Sequence, residues 1–219
     1  MKQRRQHSTS TPKNHSSKGA ANHQIQIIGG EYRSRKIAVI DAEGLRPTSS
    51  RVRETLFNWL QMTIPGSIVI DAFAGTGALG IEALSRGAKK AIFIEKDPIV
   101  FKKLQENITS LKIESERYLL LNTDSLKFLQ ASNPQLISHL KEIKESDTRC
   151  HLFLDPPFFA DLYPELLAIL AGSELLQTVT SLSIEFPIKL TFATESALSP
   201  LEAFREMKTK ESLLQLYRR

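Results

Sequence analysis

The sequence contains a single cysteine, Cys150, among 219 residues. One thiol excludes a disulfide within the chain and a zinc site built from several thiolates. The five histidines show no metal-ligand spacing, and three of them fall before residue 25. No apolar run approaches the roughly 18 residues that a membrane-spanning helix needs. No apolar segment follows the first methionine either, so we expect neither membrane insertion nor secretion.

Acidic residues are absent from positions 1–24, which hold five lysines and arginines among mostly small polar residues. This composition predicts a disordered tail. The chain has 29 basic and 24 acidic residues, a net charge of +5, so positions 25–219 balance at 24 and 24. Net charge is therefore weak evidence for nucleic acid, and a basic patch has to be found locally. The tail could contact RNA phosphates or act as a transit peptide, but we favour a solvated segment.

The segment Ile68 to Gly80 reads IVIDAFAGTGALG, an apolar run that ends in Asp71, turns through glycines and continues with helical spacing. This pattern predicts a strand, a tight turn and a helix. Gly75 and Gly77 lack the β-carbons that would hold a ligand off the backbone, and the helix start presents unpaired N–H groups. Such turns also occur in purely structural βα loops, so a nucleotide-like ligand is one of two interpretations.

A second apolar run, Ala91 to Glu95, ends in a carboxylate about 20 residues after the glycines. That spacing predicts that Glu95 binds ribose hydroxyls, the alternative being a solvated acid at a strand end. The order of Asp71, Gly75 and Gly77 differs from the dinucleotide fingerprint G-x-G-x-x-G, in which no acid stands four residues before the first glycine.

The segment His151 to Phe158 reads HLFLDPPF, an apolar strand followed by an acid and two prolines. The prolines fix φ, remove two backbone donors and bias Asp155 away from helical geometry. Such a stiff, acceptor-rich loop suits an exocyclic amine on a base. The Asp155 carboxylate and the Pro156 carbonyl can each accept one N–H, and Phe158 offers a stacking face. An ordinary strand-to-turn Asp-Pro-Pro is the alternative.

Residues 25–40 contain two β-like runs separated by glycines, which predicts a small hairpin. A helix is predicted after Pro47, capped within Thr48 to Ser50, with Arg51 and Arg53 directed away from the core. Guanidinium groups in this region suit phosphate recognition, although a solvated face is the alternative. Trp59 is expected in the core. The basic residues of this region are Arg33, Arg35, Lys36, Arg46, Arg51 and Arg53.

These motifs resemble a known family. An acid followed by G-x-G is similar to motif I of S-adenosylmethionine-dependent methyltransferases. Together with the block GLRPTSSRVRETLFNWL at Gly44 to Leu60 and the later LDPPF, it resembles the RsmD family, over roughly Ile25 to Phe158. Members of that family are bacterial methyltransferases that modify the N2 amine of one guanine in 16S ribosomal RNA.

The resemblance assigns roles to residues of this chain. It implies that S-adenosylmethionine is the cofactor and that 16S ribosomal RNA, or a partly assembled small subunit, is the partner. The implied cofactor-binding residues are Asp71, Phe73, Gly75, Gly77, Glu95, Lys96, Asp124 and Ser125. The implied catalytic residues are Asp155, Pro156, Pro157 and Phe158. The implied RNA contacts are Arg33, Arg35, Lys36, Arg46, Thr48, Arg51 and Arg53. Asp124 equally suits the N-cap of the helix predicted over Ser125 to Leu129.

Strands and helices alternate after Ser67, which predicts an α/β fold with a parallel sheet covered on both faces. The resemblance implies a Rossmann-like class I methyltransferase with seven strands and a reversed last strand, plus an N-terminal hairpin and helix. We divide the chain into a tail (1–24), a substrate-binding extension (25–63) and a catalytic domain (64–219). Predicted elements include helices at Pro98–Leu111 and Leu162–Leu170, a strand at Thr178–Phe186 and an antiparallel pair at Phe204–Lys208 and Ser212–Tyr217.

Two other functions would fit these motifs. A DNA adenine-N6 methyltransferase would use the same Asp-Pro-Pro-aromatic loop, and an RNA-binding assembly factor could keep the fold without turnover.

The predicted last turn reads Lys208-Thr209-Lys210-Glu211, where the family often carries Tyr-Gly, so the sequence leaves the geometry of this turn open. Cys150 is predicted to be buried in a strand, which argues against covalent attack on a pyrimidine. We expect a cytoplasmic monomer without a metal.

Overall fold

The computed structural model describes residues 23–40, 49–159, 162–190 and 194–219. An antiparallel hairpin of β1 (His23–Gln26) and β2 (Lys36–Val39) precedes a seven-stranded sheet. The sheet strands are β3 (Ile68–Asp71), β4 (Lys90–Ile94), β5 (Tyr118–Leu121), β6 (Cys150–Leu154), β7 (Ser181–Pro187), β8 (Glu202–Lys208) and β9 (Ser212–Arg218). The helices are α1 (Ser50–Trp59), α2 (Ala78–Ser85), α3 (Pro98–Leu111), α4 (Ser125–Leu129), α5 (Pro134–Glu145), α6 (Leu162–Leu170), α7 (Glu174–Thr178) and α8 (Thr194–Ala197).

The order of the sheet is β5-β4-β3-β6-β7-β9-β8, and β9 runs antiparallel to both of its neighbours. Every residue of β3 and β6 is buried, because helices cover both faces of a parallel sheet. One apolar cluster packs under α4 to α7, and a second lies under α1, α2, α3 and the hairpin. The predicted α/β class and the reversed last strand are confirmed.

The local signals explain where most elements begin and end. Helix α3 starts after Asp97, whose carboxylate accepts from two backbone amides, and Pro98 fills its first position. Strand β7 begins at Ser181 rather than at Thr178, because Thr178 belongs to the short helix α7, which Ser173 caps. Cys150 is buried in β6 as predicted, and burial raises the pKa of its thiol to about 12.

The turn between β8 and β9 closes without the glycine of the family pattern. The Thr209 hydroxyl oxygen accepts from the backbone amides of Glu211 at 3.1 Å and Ser212 at 2.8 Å. The Thr209 amide also donates to the Ser212 carbonyl at 2.8 Å. A threonine side chain thus supplies the hydrogen bonds that fix this turn. Among the described residues, no helix has the length and apolar composition to span a bilayer.

The N-terminal hairpin is anchored to α2 through Glu82, whose side chain is fully buried. The Glu82 carboxylate accepts from the backbone amides of Ile28 at 2.8 Å and Gly29 at 2.9 Å. It also accepts from Arg86 Nε at 2.7 Å, and an Arg53 terminal nitrogen lies 3.9 Å away. One carboxylate therefore joins the hairpin loop, α1 and α2, and these donors compensate the cost of burying its charge.

Replacing Glu82 by alanine should lower the free energy of unfolding by about 3–5 kcal/mol, because it removes the countercharge of the buried Arg53 guanidinium and leaves two backbone amides without their acceptor. Urea titration followed by circular dichroism measures this loss. The matched control is Glu54→Ala at an exposed acid of α1, which should change stability by no more than about 0.5 kcal/mol. A Glu82→Ala loss as small as the control's would contradict this account of the anchor.

Candidate active site

The glycine loop between β3 and α2 uses its two glycines for different purposes. Both have left-handed backbone angles, with φ of 53° at Gly75 and 96° at Gly77. A β-carbon at Gly75 would meet no atom of the described residues within 4 Å, so this residue borders open space in the part of the chain that the structure describes. A β-carbon at Gly77 would lie 2.6 Å from Leu104 Cδ1, so Gly77 faces the packed interior. Gly75 is thus the position that leaves room for a ligand.

Asp71 lies at the end of β3 and is almost completely buried. Its Oδ2 accepts from the Gly80 amide at 2.8 Å, whereas Oδ1 has no hydrogen-bond partner among the described residues. Burial raises the pKa of Asp71 to about 7, the Gly80 amide lowers it, and the charge of Glu95 raises it further. A buried carboxylate with one unmatched oxygen is suited to a cationic or hydrogen-bond-donating ligand group.

Glu95 follows β4 and holds the glycine loop from the other side. Its two oxygens accept from the amides of Gly75 at 2.9 Å and Asp97 at 2.8 Å. Burial raises the pKa of this carboxyl, and the amides of Asp97 and Gly75 oppose the rise. Each carboxylate oxygen still has a lone pair for a ribose hydroxyl. Lys96 beside it is exposed, and its backbone carbonyl accepts from Asn122 at 3.2 Å.

Asp124 and Ser125 stand after β5, the neighbour of β4. The Asp124 Oδ1 caps α4 by accepting from the amides of Leu126 at 2.9 Å and Lys127 at 3.2 Å. The Ser125 hydroxyl donates to the Ala72 carbonyl in the glycine loop. The cap that was one alternative for Asp124 is therefore present, and its contact with an adenine stays a prediction.

The proline loop after β6 lies at the same sheet edge as the glycine loop. Strands β3 and β6 are parallel neighbours with Asp71 opposite Phe153, so both loops leave the sheet at its carboxyl end. Together they line a cavity of about 530 Å³. The lining includes Phe73 and Gly75 from one loop, and Asp155, Pro156, Pro157 and Phe158 from the other. Phe158 is 39% exposed, which leaves its ring accessible for stacking.

Three further segments complete the cavity. Val39, Ile40 and Ser49 come from the N-terminal extension, Glu185 from the end of β7, and residues 209–212 from the last turn. The sequence motifs assigned no role to Glu185, which falls within the strand predicted at Thr178–Phe186. The cavity thus brings together parts of the chain from its beginning, middle and end.

Tyr163 is a site residue that the sequence motifs did not reveal. Its buried hydroxyl donates to the Glu185 backbone carbonyl at 3.1 Å and lies 3.5 Å from the Pro156 carbonyl. Burial raises the pKa of this phenol well above its ordinary value, and the charges of Asp155 and Glu185 add to the rise. The sequence signal for this role is a tyrosine in the mostly apolar helix α6, because the hydroxyl of a buried tyrosine needs a hydrogen-bond partner.

The predicted basic patch is only partly at the surface. Arg33, Lys36 and Arg51 are exposed, as is Arg35, which donates to the Ser110 carbonyl at 2.6 Å. Arg53 is 1% exposed and donates to the Gln26 carbonyl at 3.1 Å. The prediction that Arg53 faces outward to bind phosphate is therefore wrong. Arg46 and Thr48 lie outside the described residues.

Comparison with known proteins adds to this geometry. A family model described as Conserved hypothetical protein 95 matches residues 25–218. The chain belongs to the RsmD family. The sheet order and the reversed β9 are accordingly those of the Rossmann-like class I methyltransferase fold.

Individual members of the family match most of the chain. Ribosomal RNA small subunit methyltransferase D of Haemophilus influenzae is 41% identical over 162 residues, 74% of this chain and 78% of that protein. Its Escherichia coli K12 counterpart is 38% identical over 207 residues, 94% of this chain and 93% of that protein. The solved structure of Escherichia coli yhhF has a TM-score of 0.70 and 34% identity, and covers 90% of this chain and 98% of its own.

The pKa of Asp71 predicts a pH dependence of stability. Because the folded-state pKa is raised from 3.8 to about 7, the carboxyl stabilises the fold at low pH, and this contribution is lost as pH rises towards 7. Asp71→Asn removes that titration. The variant should therefore gain stability relative to the wild type between about pH 4 and 7, by at most about 4 kcal/mol.

Urea unfolding of the ligand-free protein at several pH values measures this difference. Glu114→Gln, at an exposed acid, is the control and should differ from the wild type by the same amount at every pH. A wild-type minus Asp71→Asn difference that stays constant with pH would contradict the raised pKa.

Proposed function

We propose that this protein transfers a methyl group from S-adenosylmethionine to the exocyclic N2 amine of a guanine in 16S ribosomal RNA. The observation that carries the proposal is the single cavity shared by the glycine loop and the proline loop. A cofactor site and an amine site that open into one cavity allow direct transfer between them. The names of the family relatives, ribosomal RNA small subunit methyltransferase D, support the RNA substrate.

The residues present fit the proposed cofactor. The unmatched Asp71 Oδ1 suits the ammonium of the amino-acid end, and the open space at Gly75 leaves room along the backbone. Glu95 would accept from the ribose hydroxyls, next to the exposed Lys96. Asp124 and the Ser125 backbone would bind the adenine. When bound, S-adenosylmethionine supplies an electrophilic methyl group on a sulfonium.

The proline loop would orient the target amine. The Asp155 carboxylate and the Pro156 carbonyl accept its two N–H groups, which aligns the nitrogen lone pair with the methyl carbon. Transfer from a sulfonium would leave a neutral thioether, and the Asp155 carboxylate or solvent would take the proton that the methylated amine loses. Pro157 keeps the loop rigid, and Phe158 stacks on the base. Alignment of this kind can lower a barrier by about 7–11 kcal/mol in favourable cases.

A guanine inside a helix cannot present its amine to this cavity. The base would have to be unpaired or splayed out of the RNA, at a cost that stacking on Phe158 offsets. The exposed basic residues Arg33, Arg35, Lys36 and Arg51 belong to the same N-terminal segment that lines the cavity through Val39 and Ser49. They would hold the RNA backbone near the target base. Naked RNA or a partly assembled small subunit would be the partner, and we expect a cytoplasmic monomer.

The direct test is transfer of labelled methyl groups from S-adenosylmethionine to 16S RNA, to small-subunit particles and to duplex DNA. Digestion and chromatography identify the modified nucleoside. We expect N2-methylguanosine from a ribosomal substrate. Methyladenine in DNA would instead assign the protein to the DNA adenine-N6 methyltransferases, and cofactor binding without any transfer would indicate a non-catalytic assembly factor.

Asp155→Ala should reduce single-turnover methyl transfer by at least about 100-fold, because the amine loses its orienting acceptor. Calorimetric titration should give a dissociation constant for S-adenosylmethionine close to that of the wild type. The reciprocal control is Asp71→Ala, which should weaken cofactor binding. Full transfer by Asp155→Ala would rule out this role of the proline loop.

Arg51→Ala should weaken binding to 16S RNA and reduce the slope of log K against log salt by roughly one, as expected for one lost phosphate contact. Fluorescence anisotropy at several salt concentrations measures both quantities. The control is Lys141→Ala, because Lys141 is exposed on α5, which packs on the opposite sheet face from the hairpin. An identical slope for Arg51→Ala and the wild type would remove Arg51 from the RNA interface.

A further inference from the structure

Two acids stand side by side at the edge of the sheet where the base would bind. Strands β6 and β7 are parallel, with Leu154 opposite Ile184. The residue that follows each of these is an acid: Asp155 comes directly after β6, and Glu185 lies in β7. Both acids line the same cavity, together with Phe158. The fold therefore places a second carboxylate beside Asp155 on the proline-loop side of a cavity that Glu211 of the last turn also lines.

Glu185 is more deeply buried than Asp155. Its residue is 7% exposed, whereas Asp155 is half-buried. The Tyr163 hydroxyl donates to the Glu185 carbonyl at 3.1 Å and lies 3.5 Å from the carbonyl of Pro156, the residue after Asp155. A side chain held on a rigid strand end is well placed to select between ligands.

The two amino-purines differ at the edge that would face these acids. Guanine presents two adjacent donors, the ring N1–H and the exocyclic N2 amine. Adenine presents its exocyclic N6 amine beside an N1 that accepts. An ionised carboxylate can only accept hydrogen bonds. Two carboxylates side by side therefore match guanine, and one of them would face an acceptor if adenine were bound.

We propose that Glu185 accepts a hydrogen bond from N1–H of the target guanine and thereby selects guanine over adenine. This inference rests on the proposed function, in which Asp155 and Pro156 orient the N2 amine. Glu185 is then a specificity-determining residue next to the reacting nitrogen. The selection works largely by exclusion, because an adenine would place its N1 lone pair against a carboxylate.

The analogue 2-aminopurine removes this interaction, and it also carries hydrogen at C6 where guanine carries O6, a difference that the comparison of variant with wild type cancels. It keeps an exocyclic amine at C2 but has an acceptor at N1 in place of guanine N1–H. Two 16S RNA fragments would be prepared, identical except for guanine or 2-aminopurine at the position that the wild-type protein methylates. For the wild type, kcat/KM should favour the guanine fragment by about 10- to 100-fold, since a lost donor leaves the acid facing an acceptor.

Glu185→Gln is the informative variant, because its amide has nearly the same shape and can either accept or donate. The variant should lower kcat/KM for the guanine fragment by about 10-fold and reduce the preference for guanine to within about threefold. Comparing the preference of variant and wild type cancels any intrinsic difference in amine reactivity. The control is Glu165→Gln at an exposed acid of α6, which should keep the wild-type preference. Circular dichroism and cofactor titration check that each variant is folded.

The outcomes separate this inference from the proposed function. If the wild type methylates guanine but Glu185→Gln keeps the full preference for guanine, Glu185 does not read N1 and only this inference fails. A uniform loss of activity with an unchanged preference would likewise assign Glu185 a structural role and overturn it. If the wild type forms no N2-methylguanosine in any RNA, the proposed function fails, and the inference fails with it.

Discussion

The site depends on the hydrogen bonds of the buried Glu82 carboxylate, because they hold the N-terminal hairpin against the helix that follows the glycine loop. Glu82 lies in α2, the helix that begins at the glycine loop, and it binds the hairpin loop and neighbours Arg53 of α1. Asn107 adds a second link, because its amide donates to the carbonyls of Ala38 in the hairpin and Thr76 in the glycine loop. The segment proposed to bind RNA is thus fixed to the loop proposed to bind the cofactor.

The sheet supplies the second constraint. Parallel strands end at one edge, so acids that terminate successive strands converge although they are far apart in the chain. Asp71, Glu95 and Asp155 each stand at or just after such an end, and Glu185 lies two residues before the end of β7, where its pairing with β6 has stopped. Among them, Asp71 and Glu95 have raised pKa values because burial disfavours their charge. A site built from desolvated acids costs stability, and that cost is expected where a ligand supplies the missing partners.

The sequence predicted much of the fold because its signals are local. The bounds of α3 and α6 were correct, since capping residues and apolar periodicity act within a turn or two. The short helix α7 was missed, because five residues carry too little periodic pattern to be recognised. Arg53 was assigned to the surface because helical spacing alone did not reveal that Glu82 and the Gln26 carbonyl would surround it in the interior.

By itself, the sequence determined the class of fold, the glycine loop, the proline loop and the family to which they belong, because each is a contiguous motif with its own steric logic. The tertiary structure alone decided that Gly75 borders the ligand space whereas Gly77 serves packing. It also decided that Glu185 joins Asp155 in lining one cavity, and that the buried Tyr163 hydroxyl donates to the Glu185 carbonyl. Those placements depend on strand register and helix packing between distant segments, and no local pattern encodes such distances.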